Sequence, residues 1–482
     1  MKLSELRIGI IHSLIGKNDG VSIVIDQTVK AMSKYMKINI GNFFFLAAHS
    51  SPRFNAQTDD VFWHKSDAHK KILINFNNEN AEGLDELIHE NALYAKNVIK
   101  KWADDNYIDL IIAHNTSHPY NFITAVGLGY YIEELRSQGI IWPKLMVWWH
   151  DSYFERPIFA NPNPVIQKYL KYLPGTYVDS IAFINKQQVD LGKKVFRQYS
   201  NIKLDKFFET RTTVVPNTSD IPWEWENMRP EEIKYIAPPQ DNYNHSFLKD
   251  IGLEQQVTSN GFSLADTILL LQHTRVVPRK KIELAIDLAF ELDKKFKKNG
   301  KEKCVALIVS GHSGDEQNAY QNYLYEHYTG KCKADPYSNV FLIFGENNIL
   351  SHRDIIVDKK YYKFAEVPSI IAANGGIGTY FSDIEGFGNN LLEMVSLGLP
   401  AVINKYEIYK EEIEKLGFIL PAIDNTGITK ELVDQSYRLL TDIEYRNHVV
   451  LHNLKVLKEN FDHEIIASKL KPIIINMFMR ML

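Results

Sequence analysis

The sequence has only two cysteines, Cys304 and Cys332, in 482 residues, and they form neither a CxxC pair nor a staple suited to so long a chain. No apolar run approaches the ~20 residues of a membrane-spanning helix, and the first residues predict a strand rather than a secretory signal. We therefore expect a cytoplasmic protein with no integral membrane segment. Its surface lysines leave peripheral membrane contact open, although solvated helix faces explain them more simply.

A large excess of one charge is also missing. The formal net charge is −4 and the sequence pI is about 6.5, so no overall field attracts nucleic acid. The sequence contains no complete G-x-G-x-x-G, no G-x4-G-K-[ST] and no H-E-x-x-H, which argues against hydride transfer on a Rossmann domain, P-loop chemistry and zinc protease chemistry. It also has no strict D-x-D to hold a divalent ion against a diphosphate, so we expect no obligatory metal or cofactor.

The features that are present indicate a folded, two-domain protein. Hydrophobic residues make up 45% of the chain, and short apolar runs alternate with helical stretches. This alternation predicts an α/β fold with parallel sheets, and the chain exceeds the roughly 250 to 300 residues of one core. A segment rich in proline, asparagine and charge interrupts the pattern. We therefore predict a first domain at 1–220, a linker at 221–262, a second domain at 263–458 and a closing helix at 459–482.

The second half contains a segment, EGFGNNLLE, that is suited to binding an anion. Gly386 and Gly388 leave backbone N–H groups uncovered, and a helix predicted to start near Asn389 adds its own N-terminal N–H groups. Glu385 lies at the entrance of this anion-binding segment, where its carboxylate could accept hydrogen bonds from sugar hydroxyls. Glu393, one turn into the helix, could bind a ribose diol. For either glutamate taken alone, a solvated charge near a helix end is the alternative.

Two cations follow an apolar strand in the same half. Arg275 and Lys280 could clamp two phosphates and neutralise the charge that builds when a diphosphate leaves. Plain solvated charges before a helix are the alternative. Ligands bind beyond the carboxyl ends of parallel strands, so the position of these cations after a strand supports a phosphate-binding role.

The first half contributes two strand-end histidines, His114 and His150. A single histidine after an apolar run is usually a structural residue whose ring nitrogens are hydrogen-bonded. This structural role is the alternative to a functional role for each histidine. The loop ending at Gly20 precedes a predicted helix and would let a ligand approach the backbone closely. The aromatic stretch 148–159, which includes Asp151 and Arg156, could line an acceptor pocket.

Together these motifs resemble the retaining family-four glycosyltransferases of GT-B fold. Glu385 and Glu393 reproduce the family's E-x7-E signature, and Arg275 and Lys280 stand at the spacing of its R-x4-K pair. The run 215–220, VPNTSD, is similar to its V-P-N-x-x-D stretch. The resemblance extends from the first strand to about residue 420.

The resemblance implies two Rossmann-like domains that face each other across a cleft, with the donor on the second domain and the acceptor mainly on the first. It implies metal-independent transfer of a hexose from a nucleotide diphosphate sugar, with retention of configuration and without a protein nucleophile. UDP-glucose is the first choice of donor, and a small molecule or a saccharide is the expected acceptor. The residues carried over are catalytic Glu385, Arg275, Lys280 and His150; donor-binding Gly20, Gly386, Phe387, Gly388, Asn389 and Glu393; and acceptor-side His114, Asp151 and Arg156.

The sequence departs from the family at two positions next to these motifs. Phe381 stands where a proline is usual, and Lys281 stands where a glycine is common. Two other functions stay open: a sugar-nucleotide epimerase or hydrolase of the same architecture, and a non-catalytic partner subunit of a glycosyltransferase complex.

Overall fold

The structure is a computed structural model that describes residues 2–17, 19–79, 81–175, 177–199, 204–222, 240–312 and 319–479. Its contacts divide the chain into two compact units, Met1–Thr218 with His463–Leu482, and Ser219–Asp462. Residues 223–239 of the predicted linker and residues 480–482 of the predicted closing helix lie outside the described residues.

The first unit is built on a parallel sheet. Its strands are β1 (Ile8–Ile11), β2 (Leu14–Ile15), β3 (Phe43–Ala47), β4 (His49–Ser50), β5 (Gln57–Thr58), β6 (Leu110–His114), β7 (Lys144–Trp149), β8 (Ser180–Phe183) and β9 (Thr212–Val214). Seven of them form one sheet in the order β5-β3-β1-β6-β7-β8-β9, and β2 pairs separately with β4. The direction of strand order therefore reverses between β1 and β6.

Helices cover both faces of this sheet, which explains why its central strands are apolar on both faces. The helices are α1 (Gly20–Met36), α2 (Asp67–Ile74), α3 (Leu84–Asp105), α4 (Phe122–Ser137), α5 (Pro164–Tyr169), α6 (Lys186–Tyr199), α7 (Leu204–Thr210) and, from the far end of the chain, α16 (His463–Met479). All six residues of β7 are buried. Ile466, Leu470 and Ile474 of α16 join α1 and β1 in one core cluster, so this late helix completes the first unit.

The second unit contains a second parallel sheet and a small mixed one. Its strands are β10 (Thr267–Gln272), β11 (Cys304–Val309), β12 (Val340–Phe344), β13 (Ile349–Leu350), β14 (Asp354–Ile356), β15 (Lys359–Lys363), β16 (Ile377–Tyr380), β17 (Ala401–Asn404) and β18 (Ala422–Ile423). The main sheet has the order β12-β11-β10-β16-β17-β18, and its strand order reverses between β10 and β16. The smaller sheet has the order β13-β15-β14.

The helices of the second unit alternate with these strands. They are α8 (Phe247–Asp250), α9 (Leu253–Ser259), α10 (Ile282–Lys298), α11 (Ala319–Ala334), α12 (Val367–Ala373), α13 (Asn389–Ser396), α14 (Lys430–Thr441) and α15 (Ile443–Phe461). Residues 240–262 of the predicted linker thus contain α8 and α9, whose Phe247 and Leu253 are fully buried. Two units of parallel α/β structure confirm the predicted fold class at the level of each domain.

Candidate functional site

The strand order of the second unit brings two distant segments to one place. Lys280 lies in the segment after β10, and Glu385 lies in the segment after β16. These strands are neighbours at the point where the order reverses, which is where open parallel sheets form ligand crevices. The ammonium of Lys280 forms an ion pair with Oε1 of Glu385, and Arg279 Nη1 lies 3.1 Å from Oε2 of the same carboxylate.

This ion pair is largely withdrawn from water. The side chains of Lys280 and Glu385 are 5% and 9% exposed, against 36% for Arg279. Burial alone would raise the pKa of Glu385, but the adjacent Lys280 and Arg279 lower that pKa below its ordinary value. Burial also lowers the pKa of Lys280, and the neighbouring carboxylate opposes that shift. We therefore treat the pair as a charged carboxylate held by two cations.

Two buried tyrosines lie beside this cluster. Lys280 Nζ lies 5.3 Å from the ring centroid of Tyr380, and Tyr406 Oη donates a 2.8 Å hydrogen bond to the carbonyl of Phe387. Gly388 caps α13 with φ = +116°, and a Cβ there would collide with Tyr406 Oη. This position therefore requires glycine for both its backbone conformation and its space.

Sequence reasoning missed the partner of the second glutamate. Glu393 Oε2 lies 3.2 Å from Nε2 of His273, whose Nδ1 is 2.9 Å from Ser310 Oγ. The ring of His273 is fully buried and stacks on Phe364 at 3.9 Å between centroids. The available signal was that His273 directly follows β10, as His150 follows β7.

The cations in the loop after β10 differ in exposure and in backbone conformation. Arg275 is exposed, and no ion pair of its guanidinium is recorded among the described residues. Gly311 packs so closely on this loop that a Cβ would collide with the carbonyl of Thr274. Lys281 adopts φ = +48°, a left-handed conformation that favours glycine. A glycine at this position would adopt the same conformation without strain.

The remaining predicted donor residues lie around the start of α13. Gly386 is exposed, Phe387 is buried, and Asn389 is the first residue of the helix. They share one loop with Glu385. In the first unit, Gly20 is the exposed first residue of α1, where Asp19 accepts hydrogen bonds from the next two N–H groups.

Histidines gather at the matching edge of the sheet in the first unit. His12 follows β1, His114 ends β6 and His150 follows β7. Nδ1 of His114 lies 3.0 Å from Nε2 of His150, and Nδ1 of His12 donates to the carbonyl of His114 at 3.2 Å. His12 was not predicted from the sequence. Its signal is its place after the first strand, beside the reversal of strand order.

The other predicted acceptor residues form an ion pair beside this edge. Asp151 Oδ2 accepts from Arg156 Nε at 2.7 Å, and the Asp151 backbone N–H donates to Asn115 Oδ1 at 3.0 Å. Gln188 Nε2 donates to both the carbonyl of His150 and the carboxyl of Glu155, at 3.1 and 3.0 Å. The loop that carries His150 is therefore held at several points.

No group of three or more histidine, cysteine, aspartate or glutamate side chains in the described ranges is arranged to hold a metal ion. None of the described helices is both long and apolar enough to cross a bilayer.

Comparisons with known proteins bear on what these sites do. No known family model matches the chain. A mannosylglucosylglycerate synthase from Petrotoga mobilis is 26% identical over 436 residues, which cover 86% of this chain and 85% of that protein. A mannosylglucosylglycerate synthase from Thermotoga maritima is 28% identical over 210 residues, which cover 41% of this chain and 46% of that protein.

Solved structures share the fold at low sequence identity. Anabaena Alr3699/HepE, crystallised in complex with UDP and glucose, has a TM-score of 0.55 at 12% identity over 96% of this chain and 98% of its own. Sucrose-phosphate synthase from Thermosynechococcus elongatus has a TM-score of 0.59 at 12% identity, covering 99% of this chain and 100% of its own. These similarities give the chain the GT-B fold and confirm the predicted fold class.

Proposed function

We propose that this chain is a glycosyltransferase that moves a hexose from a nucleotide diphosphate sugar to a soluble hydroxyl acceptor. The observation that carries the proposal is the buried ion pair of Lys280 and Glu385, with Arg279 at its more exposed side, beyond β10 and β16. Arg275 lies in the same loop, and its charge acts on Lys280, so the segment offers an excess of positive charge to an anionic ligand. A diphosphate matches both this charge and the crevice at which such sheets bind nucleotides.

The roles of the donor residues follow from this cluster and from the resemblance. Arg275 and Lys280 stabilise the leaving diphosphate, with help from the N–H groups around Gly386, Gly388 and Asn389 at the start of α13. Glu385 orients the hexose, and Glu393, supported by His273, holds the ribose. Phe387 is buried in the loop after Glu385, where its ring packs against Phe461.

The first unit supplies the acceptor side of the proposal. His150 contacts the transferred hexose, Gly20 approaches the donor, and His114, Asp151 and Arg156 shape the acceptor site. The transfer retains configuration, because the acceptor attacks from the face that the leaving group occupies, and it needs no protein nucleophile and no metal ion.

The donor and acceptor classes are supported by the relatives. The Anabaena structure holds UDP and glucose, and another structural neighbour, from E. coli, is bound with UDP-2-fluoro glucose. We therefore propose UDP-glucose as the first donor to test. The name of the sequence relatives describes a product containing mannose, glucose and glycerate, which supports a small sugar or sugar-acid acceptor and makes a mannose donor the second to test.

The test is thermal unfolding of the full chain with UDP, GDP, ADP and their hexose conjugates, without added metal. A ligand at ~100 times its dissociation constant adds roughly 2.7 kcal/mol and raises the midpoint. We expect one base to stabilise the wild type and the Lys281→Ala control, but not Arg275→Ala. No shift with any nucleotide would contradict the proposal and favour a non-catalytic subunit.

A second measurement follows donor consumption with and without acceptor. A glycosyltransferase consumes its donor at full rate only with an acceptor. Equal consumption without any acceptor would favour an epimerase or hydrolase instead.

A further inference from the structure

The rings of His114 and His150 form a fixed pair in the first unit. Their Nδ1 and Nε2 atoms lie 3.0 Å apart. His114 is completely buried, and its ring lies nearly parallel to that of Trp148, at 16° and 5.1 Å between centroids. The backbone on each side is also held, through His12 Nδ1 on the carbonyl of His114 and Gln188 Nε2 on the carbonyl of His150.

Both rings are neutral near pH 7. Burial is the main cause that keeps the pKa of His114 well below its ordinary value, and the nearby His150 and His12 lower it further. Burial and His12 lower the pKa of His150 to about 3. A neutral imidazole carries one N–H and one lone pair. One ring therefore donates the hydrogen bond between them and the other accepts it.

The surroundings of His114 decide which ring donates. Its Nε2 is buried and has no hydrogen-bond partner in the part of the chain that the structure describes. If His150 donated, His114 would carry its proton on Nε2 and leave a buried N–H without an acceptor, which folded proteins strongly avoid. If His114 donates through Nδ1, only a lone pair remains at its Nε2. The second arrangement is the more stable one.

We propose that His114 is a positioning residue that fixes His150 in the tautomer with its proton on Nδ1. Because Nε2 of His150 then accepts from His114, Nδ1–H is the group that His150 can offer to a ligand. No hydrogen bond from this nitrogen to another described residue is recorded. The inference rests on the proposed function in one respect, which is that His150 contacts the hexose. His150 is then a hydrogen-bond donor to a sugar oxygen and not a base.

The tautomer of His150 is measured directly by nuclear magnetic resonance of the full chain with nitrogen-15 in its histidine rings. A His150→Gln variant assigns the His150 signals. We expect a protonated Nδ1 in the wild type and in His114→Asn, since the asparagine amide nitrogen replaces Nδ1 of His114. We expect His114→Leu to lose this preference. Protonation of His150 on Nε2 in the wild type, or an unchanged tautomer in His114→Leu, would overturn the proposal.

Turnover adds a second readout. Losing one hydrogen bond of ordinary strength is expected to lower kcat about tenfold in His114→Leu, and His114→Asn is expected to restore most of the rate. His69→Leu is the matched control, because His69 is also fully buried in this unit but bonds to Ser66. Equal kcat losses in the asparagine and leucine variants would contradict the role.

Two features keep this test decisive. If His114→Leu fails to fold, His114→Gln replaces it, because its amide reaches the position of Nε2 rather than Nδ1. The tautomer measurement needs no substrate, so a wrong tautomer refutes this inference alone. An absence of transfer with every donor would refute the proposed function alone.

Discussion

The ammonium of Lys280 and the carboxylate of Glu385 form a buried ion pair although 105 residues separate them along the chain. They meet because β10 and β16 are neighbours in the sheet. Removing one member of a buried pair leaves the other charge uncompensated. The same contact therefore links the stability of the second unit to the chemistry that we propose for it.

Replacing Lys280 by alanine is expected to lower kcat with the proposed donor about 10²- to 10³-fold, because the charge on the leaving diphosphate loses a preorganised cation. Steady-state kinetics with saturating donor and acceptor measure the change. The neighbouring Lys281→Ala is the control, since its side chain is 40% exposed and its ammonium lies 3.4 Å from Asp383. Wild-type turnover in Lys280→Ala would remove this residue from the site.

The stability of the pair is tested by a double-mutant cycle. We expect Lys280→Met to lower the free energy of unfolding by about 3 kcal/mol, because it leaves the buried Glu385 carboxylate with the half-exposed Arg279 as its ion-pair partner. Adding Glu385→Gln removes that charge and is expected to recover part of the loss. Urea unfolding of the three variants and the wild type measures the coupling. Simple additivity of the two changes would show that the buried charges do not interact.

Gly388→Ala is expected to destabilise the second unit by more than Gly375→Ala. Both glycines have positive φ, at +116° and +77°, but a Cβ at Gly375 meets nothing within 4 Å, whereas one at Gly388 collides with Tyr406 Oη. The comparison of the two alanine variants by thermal unfolding separates backbone strain from the collision.

The collision itself is tested with Tyr406→Phe. Because this change removes the hydroxyl that the new methyl group would meet, the double variant Gly388→Ala/Tyr406→Phe is expected to be more stable than the sum of the two single changes predicts. Equal destabilisation by Gly388→Ala and Gly375→Ala would show instead that the loop moves to accommodate a side chain.

Acid is expected to destabilise the first unit through its buried histidines. Burial lowers the pKa of His69 from 6.5 to about 4. Between these values the unfolded chain binds a proton that the folded chain does not, so the free energy of unfolding falls as the pH falls. This residue accounts for about 3 kcal/mol between pH 7 and pH 4.

The matched variant is His69→Asn, whose amide can retain the bond to Ser66. Its stability relative to the wild type is expected to increase as the pH falls from 7 to 4, measured by urea unfolding at each pH. A difference in stability that does not change with pH would contradict the assigned protonation.

The sequence predicts the elements of the fold and the positions of charged residues after strands, because both depend on local patterns. Apolar runs such as 304–309 predict buried parallel strands, and the structure has a strand there, β11. The short strands β13 to β15 carry mixed patterns with several lysines, so their sheet could not be predicted from periodicity.

Pairings across the sheet could not be predicted, because they depend on which strands become neighbours. His273 meets Glu393 across 120 residues, and Arg279 meets Glu385 although the sequence pattern had singled out Arg275. The left-handed backbone at Lys281 was also hidden, since lysine itself gives no signal for that conformation.

The helix α16 has a consequence for synthesis. Its apolar residues lie in the core of the first unit, yet they follow all of the second unit along the chain. On the ribosome, the contiguous second unit can fold as soon as residues 219–462 have emerged. The first unit cannot complete its core, and keeps an apolar surface exposed over β1 and α1, until α16 has been synthesised. The half of the protein that is made first is thus the half that is finished last.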